Sequence, residues 1–453
     1  MKIVIICQWY PPEYAPIGVM LQELSRDLAA KGHQVTVITG YPNHPSGVLF
    51  EGYRKGLFSE EMDGLVRIIR CWLYTSPKRS VVSRLLNNLS FALVSFLAAL
   101  RLEKHDLLFM VSPPLSNGLI AMLLRKMKGL RFVFNVQDIY PDAAIAAGII
   151  RNPLLIRALS RFEREIYRMA EAVTVISEGF KQNLIAKGIA AQKIHLVNNW
   201  IDAMEIAPIQ KDNPFAREHG LADKFVVLYS GTIGLISGAG IILECAESLK
   251  ANREILFLFV GEGVAKDFIM KSALERQLKN VLFLPFQPRQ ILSQLQSSAD
   301  VSVVTLFSGR GKSSVPSKVL GYMAAARPVV ACVDLNSDTA RLVERANCGI
   351  AVAAEDAGQL TAALVELYRD RKKGERLGTN GRSYLVANCS RTDMTGRYES
   401  LFLGCLQRGC GPSVSAGSAA PGVGSLGGCA SSSPGRQSSP ALAIPPGAGG
   451  AHS

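Results

Sequence analysis

Short apolar segments alternate with longer helical segments along most of this chain, and this alternation limits the possible folds more than any other feature. The first series is KIVIIC, HQVTVITG, DLLFMVS, RFVFNVQD, AVTVIS and KIHLVNN. A polar, proline-containing stretch at 208–215 interrupts it, and the second series is KFVVLYSG, ILFLFVGEG, VLFLPF, ADVSVVTL, RPVVACV and GIAVAA. Strands that alternate with helices predict parallel sheets covered on both faces. We therefore predict an α/β protein with two Rossmann-like domains facing across a cleft, with ligands at the carboxyl ends of the strands.

The domain boundaries follow from changes in this pattern. With 453 residues the chain is too long for one core of ordinary size. We predict an N-terminal domain over 1–205, a C-terminal domain over 206–390 and a terminal helix over 391–409. From 410 to 453 the chain consists mainly of Gly, Ala, Ser and Pro with almost no charge, which predicts a disordered tail.

The cysteines and the first residues predict a reducing compartment. The nine cysteines are scattered without a C-x-x-C pair, so no disulfide framework is indicated. The run MKIVIICQWYPP has an apolar part typical of a buried strand and too short for a secretory signal. We expect the chain to start at Met1 and to remain in the cytoplasm.

A basic and apolar window lies within the predicted N-terminal domain. The formal net charge is +13, and residues 51–131 hold thirteen Lys or Arg residues against six Asp or Glu residues. The apolar run 85–100 inside it, bounded by Arg84 and Arg101, is shorter than the roughly 20 residues that span a bilayer. We expect a segment near 78–104 to lie on an anionic membrane surface, with its cations at the level of the lipid phosphates. A buried core helix is the alternative.

Nucleic acid is not an expected partner of this basic chain. Its cationic residues are not interleaved with aromatic residues, and no nucleic-acid reading motif is present. A positive net charge then favours nucleotides or acidic lipids as anionic partners.

The stretch 313–331, SSVPSKVLGYMAAARPVVA, combines a candidate phosphate site with a helix and a strand. Ser313, Ser314 and Ser317 can cap a helix start, and the proline among them suits a first turn. Lys318 follows, and a lysine beside unpaired backbone N–H groups suits the negative charge of a nucleotide diphosphate. A surface lysine on an ordinary helix is the alternative.

Several ordered motifs give this chain a resemblance to the family 4 glycosyltransferases. The similarity is to bacterial enzymes that build colanic acid, O-antigen and other surface polysaccharides, including enzymes assigned as L-fucosamine transferases. It runs from Lys2 to about Leu406 and excludes the tail. The motifs are GTIGLISGAG (231–240), VGEG (260–263), NVQDIYPD (135–142), LVNNWID (196–202) and the stretch 313–331.

The resemblance implies a GT-B fold, with the acceptor in the first domain and the sugar nucleotide mainly in the second. Family members generally retain the anomeric configuration and need no metal or other cofactor. The sequence agrees with the last point, because it contains no D-x-D pair to hold a divalent ion against a diphosphate. The leaving diphosphate then needs cations and backbone N–H donors, and Arg310, Lys312 and Lys318 are the candidates.

On the donor side, the resemblance also points to loops at the ends of strands. Gly231 and Gly234 lie in the loop that contacts the diphosphate in the family, and Glu262 lies in a strand-end loop that approaches the nucleotide. Many relatives carry an arginine and a lysine in the first loop, whereas this chain reads LISG there. Because this loop supplies no cation, we expect Arg310, Lys312 and Lys318 to neutralise the charge of the diphosphate. An exposed loop carboxylate is the alternative for Glu262.

On the acceptor side, three residues follow strands of the first domain. Gly18 allows close backbone approach to a ligand, with a plain turn residue as the alternative. His44 follows the second strand and is a candidate acceptor ligand, or else an ordinary surface histidine. Asp138 resembles the acidic residue of the family near the acceptor hydroxyl, where it can act as a base, or it is a structural cap.

The paired glutamates found in much of this family are absent. Alignment on MAAARP puts their positions at Ser313 and Gly321, and neither is a carboxylate. The PSK form of this stretch is frequent in the surface-polysaccharide branch, which indicates a branch difference. Asp338 can partly replace the missing acid at the donor site, although Ser337 or Asp338 as a helix N-cap is the alternative.

These features predict a retaining glycosyltransferase that transfers a sugar from a UDP- or GDP-sugar to a polyprenyl-diphosphate-linked glycan. The expected location is the inner face of the cell membrane, with peripheral attachment. Two alternatives remain at this point: a sugar-nucleotide 2-epimerase on the same scaffold, and a non-catalytic scaffold that binds nucleotide or membrane.

Overall fold

Two parallel sheets, each flanked by helices, make up the structure. The computed structural model describes residues 1–13, 15–53, 56–78, 80–146, 148–234, 237–309 and 317–407. The predicted tail over 410–453 lies outside these residues. The GT-B architecture expected from the sequence is confirmed, with two α/β domains facing across a cleft.

The first domain carries the longer sheet. Its strands are β1 (Lys2–Ile6), β2 (Gln34–Gly40), β3 (Phe58–Asp63), β4 (Val66–Cys71), β5 (Leu107–Ser112), β6 (Arg131–Val136), β7 (Ala172–Val175) and β8 (Ile194–Leu196). Its helices are α1 (Pro16–Ala30), α2 (Val81–Arg101), α3 (Ser116–Lys128), α4 (Asp142–Ala146), α5 (Pro153–Met169) and α6 (Glu178–Ala186).

The second domain and the C-terminal segment follow the same pattern. The strands are β9 (Phe225–Ser230), β10 (Ile255–Val260), β11 (Val281–Leu284), β12 (Val301–Thr305), β13 (Val329–Cys332) and β14 (Gly349–Val352). The helices are α7 (Pro214–Glu218), α8 (Ile241–Ser248), α9 (Lys266–Glu275), α10 (Leu292–Ser297), α11 (Lys318–Ala324), α12 (Asp338–Arg345), α13 (Ala357–Arg369), α14 (Arg371–Asn388) and α15 (Arg391–Gln407).

The strand orders put a ligand site at the carboxyl edge of each sheet. The first sheet has the order β3-β4-β2-β1-β5-β6-β7-β8, and the second has the order β11-β10-β9-β12-β13-β14. The chain therefore reverses its winding direction at β1 in the first sheet and at β9 in the second. Crevices at such switch points are where open α/β sheets bind ligands.

Every strand of the two predicted series is present, and each corresponds to one of the short apolar runs. The hairpin of β3 and β4 was not predicted, and β3 is the antiparallel strand of the first sheet. Its sequence FSEEMD is polar and half-buried at the sheet edge, so it lacks the apolar run on which the prediction relied. In the segment predicted as a terminal helix over 391–409, the structure has α15 (Arg391–Gln407), and residues 408 and 409 lie outside the described part of the chain.

Helix α2 has 21 residues and is longer than the predicted apolar run over 85–100. One face is buried, as in a core helix, and the other face is exposed, as in a helix on a membrane surface. In the described part of the chain it is the one helix long and apolar enough to cross a membrane. Phe91 and Val94 on one face are buried in the core of the first domain. Leu86, Leu89 and Leu93 on the other face are 45%, 50% and 62% exposed.

Candidate functional site

Two glycine-containing loops of the second domain, at the ends of β9 and β10, lie against each other. The Gly231 N–H donates to the Val260 carbonyl (2.9 Å), and the Ile233 N–H donates to the Glu262 carbonyl (2.9 Å). A Cβ on Gly261 would overlap the Gly231 carbonyl oxygen. The φ of Gly231 is +122° and that of Gly261 is +148°, so both positions favour glycine. The predicted Gly231 and Glu262 are therefore neighbours on adjacent strand ends.

Lys318 lies beside these loops. Its ammonium nitrogen is 3.6 Å from the centre of the Tyr229 ring, near the end of β9. A Cβ built on Gly231 would be 3.4 Å from the Lys318 Cε, so the lysine stem passes directly over the glycine. Burial lowers the pKa of Lys318 to about 7. Lys318 as a whole is half-buried, and its ammonium packs on the Tyr229 ring.

Helix α11 holds Lys318 through Tyr322, one turn further along the helix. The Tyr322 hydroxyl accepts from the Ser230 N–H (2.8 Å) and donates to the Ser230 carbonyl (3.1 Å). The predicted side-chain cap at Ser317 is wrong, because Ser317 precedes α11 in a helical conformation and its hydroxyl caps no N–H. A cap requires an extended backbone at that position. Ser313 and Ser314 lie outside the described residues.

Two carboxylates anchor the backbone that leads toward the remaining predicted cations. The Ser308 N–H donates to Glu355 (3.1 Å), and the Gly309 N–H donates to Asp334 (2.8 Å). Asp334 also accepts from the Ser308 hydroxyl (3.1 Å). Arg310 and Lys312, predicted to bind the diphosphate, lie outside the described residues.

A cation that the sequence analysis did not select lies next to Glu262. The Lys266 ammonium donates to the Glu262 carboxylate (2.6 Å), and the lysine side chain is 13% exposed. The backbone beside this pair contacts the predicted loop, because the Ala265 N–H donates to the Ile233 carbonyl (3.1 Å), directly before Gly234. The i to i+4 spacing at the start of α9 was the available signal, but such pairs are common on helix surfaces.

Gly321, the position of the second family glutamate, faces α10. A Cβ there would lie 2.8 Å from the side-chain nitrogen of Gln296, so a glutamate could be accommodated only if Gln296 moved. The side chain of Gln296 on α10 therefore lies where a glutamate at position 321 would begin.

Asp338 lies at a contact between the domains. Its carboxylate accepts from the backbone N–H of Gly179 at the start of α6 (3.1 Å). The hydroxyl of Ser337 caps α12 by accepting from the Ala340 N–H (3.2 Å), as the N-cap alternative required. In this arrangement Asp338 binds the first domain, and the structure does not bring it together with Lys318.

Gly18 and His44 lie at the carboxyl ends of β1 and β2. A Cβ on Gly18 would be 3.1 Å from the Trp9 carbonyl oxygen, so the close approach that requires glycine is to the loop after β1. The His44 ring lies 5.8 Å from the Trp9 ring, centre to centre. The two predicted acceptor-side residues therefore share Trp9 as a neighbour.

Asp138 follows β6 and is half-buried. Burial raises the pKa of Tyr140, the Asp138 charge adds to this rise, and the Arg84 guanidinium opposes it. Tyr140 therefore lies within electrostatic reach of both charges. Since Arg84 belongs to the first turn of α2, the apolar helix begins near the predicted acceptor site.

A buried ion-pair network fixes the segment after Asp138. The ammonium of Lys187, directly after α6, contacts Asp142 (2.9 Å) and both carboxylate oxygens of Glu163 (2.8 and 2.9 Å). Glu163 is fully buried and also accepts from the Tyr167 hydroxyl (3.0 Å). Sequence reasoning missed this network because its members come from three separate segments of the chain.

Comparison with known proteins agrees with this arrangement. The glycosyl transferase 4-like domain family matches residues 17–200, and glycosyl transferases group 1 matches residues 212–384. WcaI of Escherichia coli (strain K12), described as a colanic acid biosynthesis glycosyl transferase, is 31% identical over 363 residues, which cover 78% of this chain and 88% of WcaI.

Two solved structures have a similar fold. Sucrose-phosphate synthase from Thermosynechococcus elongatus has a TM-score of 0.70 at 18% identity, covering 90% of this chain and 100% of that one. Anabaena Alr3699/HepE in complex with UDP-glucose has a TM-score of 0.65 at 14% identity, covering 89% and 100%. The fold and the matched domains together define a glycosyltransferase enzyme of the GT-B class. Within this class, the chain belongs to the family 4 glycosyltransferases.

Proposed function

We propose that this enzyme transfers a sugar from a UDP- or GDP-sugar to a polyprenyl-diphosphate-linked glycan, with retention of configuration, during assembly of a surface polysaccharide. The description of WcaI supports the polysaccharide, and the UDP-glucose complex of the Anabaena protein supports the donor class. The observation that carries the proposal is the position of Lys318 over Gly231, at the switch point of the second sheet.

The donor site is proposed to work without a metal ion. A diphosphate beside Gly231 would meet the Lys318 ammonium, and its charge would stabilise the protonated lysine. When the bond between the anomeric carbon and the β-phosphate oxygen breaks, its electron pair leaves with the nucleoside diphosphate. Lys318 is proposed to neutralise this charge, with Arg310 or Lys312 as the second cation.

The acceptor hydroxyl is proposed to bind near Asp138. Its oxygen forms the new bond to the anomeric carbon, and its proton passes to a base, for which Asp138 is the candidate. Gly18 and His44 are proposed to contact the acceptor from the neighbouring loops. The Lys187 network holds the segment after Asp138 and would keep the carboxylate in place during attack.

A lipid-linked acceptor would account for the exposed face of α2. Leu86, Leu89 and Leu93 are exposed on a helix whose first turn carries the exposed Arg84, and a face of this kind favours an anionic lipid surface. The first turn of α2 lies near Asp138 through Arg84 and Tyr140. We therefore propose peripheral attachment to the cytoplasmic face of the cell membrane, which would present the lipid-linked acceptor to the cleft.

The test is a panel of UDP- and GDP-sugars incubated with the purified protein and polyprenyl-diphosphate-linked oligosaccharides extracted from membranes. Mass spectrometry should detect one added sugar on the lipid-linked acceptor, and NMR should show the donor's anomeric configuration in the product. Lys318→Met should reduce turnover at least a hundredfold. Lys279→Met, which removes an exposed lysine of the same domain, should leave turnover unchanged.

Three outcomes would contradict the proposal. A free sugar epimer formed without acceptor would favour the 2-epimerase, and no donor consumption with any preparation would favour the scaffold. Undiminished turnover by Lys318→Met would remove the assigned role of this lysine.

A further inference from the structure

Glu13 is a buried carboxylate between β1 and α1, and it is only 2% exposed. The loop that contains it leads into α1, whose third residue is Gly18, and lies at the same sheet edge as the loop after β2. Removing an ionised carboxylate from water is costly unless hydrogen bonds replace the lost solvation. The groups that donate hydrogen bonds to the Glu13 carboxylate therefore indicate its role.

The carboxylate accepts hydrogen bonds from three backbone N–H groups. One oxygen accepts from Asn43 (2.9 Å) and from His44 (2.8 Å), both in the loop after β2. The other oxygen accepts from Tyr10 (3.4 Å), in the loop after β1. One side chain thus joins the two loops that carry Trp9 and His44.

Only a carboxylate satisfies all three donors at this position. A glutamine has one acceptor oxygen, and if that oxygen faces Asn43 and His44, its NH₂ group faces the Tyr10 N–H. Two donors would then face each other in a buried space, which leaves one group unsatisfied. An alanine would leave all three N–H groups without this acceptor.

We infer that Glu13 is a positioning residue that holds residues 41–46, with His44, against the Trp9 loop in the geometry that binds the acceptor. The inference rests on the proposed function for the role of His44. Glu13 is buried, and it hydrogen-bonds backbone N–H groups of both loops. It acts through the loop that it fixes.

The charged and titratable neighbours make this support sensitive to pH. Burial raises the pKa of Glu13 to about 7, the backbone N–H groups of Asn43, His44 and Tyr10 lower it, and the Arg70 guanidinium of β4 lowers it further. Cys7, directly after β1, and Tyr53 also lie within electrostatic reach of the carboxylate. Protonation leaves one oxygen as a donor, so fewer N–H groups are satisfied below about pH 7.

Hydrogen–deuterium exchange tests the hydrogen bonds directly and needs no turnover. In the full chain, Glu13→Ala should increase amide exchange in the peptide that contains Asn43 and His44, and Glu13→Gln should increase exchange mainly around Tyr10. Glu60→Gln, which alters an exposed carboxylate of β3, should change neither peptide. Unchanged exchange in folded Glu13→Ala would overturn the inference.

Kinetics test the link to the acceptor, with the UDP- or GDP-sugar that the enzyme accepts and the lipid-linked oligosaccharide fraction. Glu13→Gln should raise the KM for the acceptor about tenfold and leave the KM for the donor unchanged. The wild-type acceptor KM should also rise as the pH falls below about 7, and Glu13→Gln should lose this dependence. An equal rise in both KM values would contradict a positioning role. If the wild-type protein transfers no sugar, the proposed function fails, whereas the exchange result still decides whether Glu13 holds the loop.

Discussion

The ammonium nitrogen of Lys318 lies 3.6 Å from the centre of the Tyr229 ring, close to the backbone of Gly231. The ring face attracts a cation, while burial favours the neutral amine. Among the described residues, no carboxylate forms an ion pair with this lysine. Its charge is therefore available to an anionic ligand at the end of β9.

Binding of a sugar nucleotide should depend on pH through Lys318. Burial lowers the pKa of Lys318 to about 7 in the free protein, and a bound diphosphate would raise it. Above about pH 7 the lysine must take up a proton on binding, so affinity for UDP-glucose should fall, by up to tenfold per pH unit. Calorimetry in two buffers of different ionisation enthalpy measures both the affinity and the proton uptake.

Two variants separate charge from position in this experiment. Lys318→Arg keeps a permanent charge and should bind with little pH dependence, whereas Lys318→Met should bind weakly at every pH. The folded pKa is below that of the unfolded chain, so this lysine contributes stability at pH values above about 10, and the contribution is lost as the pH falls toward 7. A wild-type affinity that does not change between about pH 6.5 and 8.5 would refute the assignment.

Gly261→Ala should disrupt the donor site. The added Cβ would overlap the Gly231 carbonyl, and the φ of +148° is strained for alanine. We expect a loss of about 1–3 kcal/mol in the free energy of unfolding, together with loss of UDP-glucose binding. Urea unfolding and calorimetry measure these two quantities.

Gly240→Ala is the matched control in the same domain. A Cβ on Gly240 meets no atom within 4 Å, and its φ is −61°. The control should change stability by less than about 0.5 kcal/mol and leave binding intact. Similar losses in both variants would mean that the contact with Gly231 is not the cause.

Lys187→Met should destabilise the first domain in a pH-dependent way. It leaves the fully buried Glu163 without its cation, which typically costs about 3–5 kcal/mol. Burial raises the pKa of Glu163 to about 6 even with Lys187 present, and loss of the cation should raise it further. A raised carboxyl pKa favours folding at low pH and loses this contribution as the pH rises through it, so the deficit should be larger at about pH 8 than at pH 5.

The double variant Glu163→Gln, Lys187→Met should recover part of the lost stability, since no charge then remains buried. Glu165→Gln alters an exposed carboxylate of the same helix and should have little effect. Urea unfolding at both pH values provides the comparison. Additive losses in the double variant would show that Lys187 and Glu163 are not coupled.

The sequence could predict the strands and select Lys318, which the structure places beside Gly231, because both predictions depend on residues close together in the chain. Buried parallel strands are apolar runs. Lys318 lies in the stretch 313–331, where serines, a lysine, a helix and a strand follow each other within 19 residues. Both sheets were therefore predictable except for the hairpin of β3 and β4, in which the polar sequence FSEEMD of β3 pairs with β4.

The remaining parts of the site depend on contacts between distant residues. Asp338 binds Gly179, which precedes it by 159 positions, and Glu13 binds a loop about 30 residues further on. The sequence does not distinguish an aspartate or glutamate that binds a distant backbone N–H from one that is exposed to water. The contacts of Asp338 and Glu13 form only when the chain is folded.

Membrane binding should depend on the exposed stripe of α2. Replacing Leu86, Leu89 and Leu93 with glutamine removes apolar area that would be buried in the lipid interface, whereas Phe91 and Val94 continue to hold the helix in the core. Co-sedimentation with vesicles of phosphatidylcholine and phosphatidylglycerol should fall at least tenfold, and salt should weaken wild-type binding because the basic surface contributes. Leu274→Gln, at a leucine 79% exposed on α9 of the other domain, serves as the control and should bind like the wild type. Equal binding by the triple variant and the wild type would mean that another surface contacts the membrane, whereas no wild-type binding to anionic vesicles would remove the proposal of peripheral attachment.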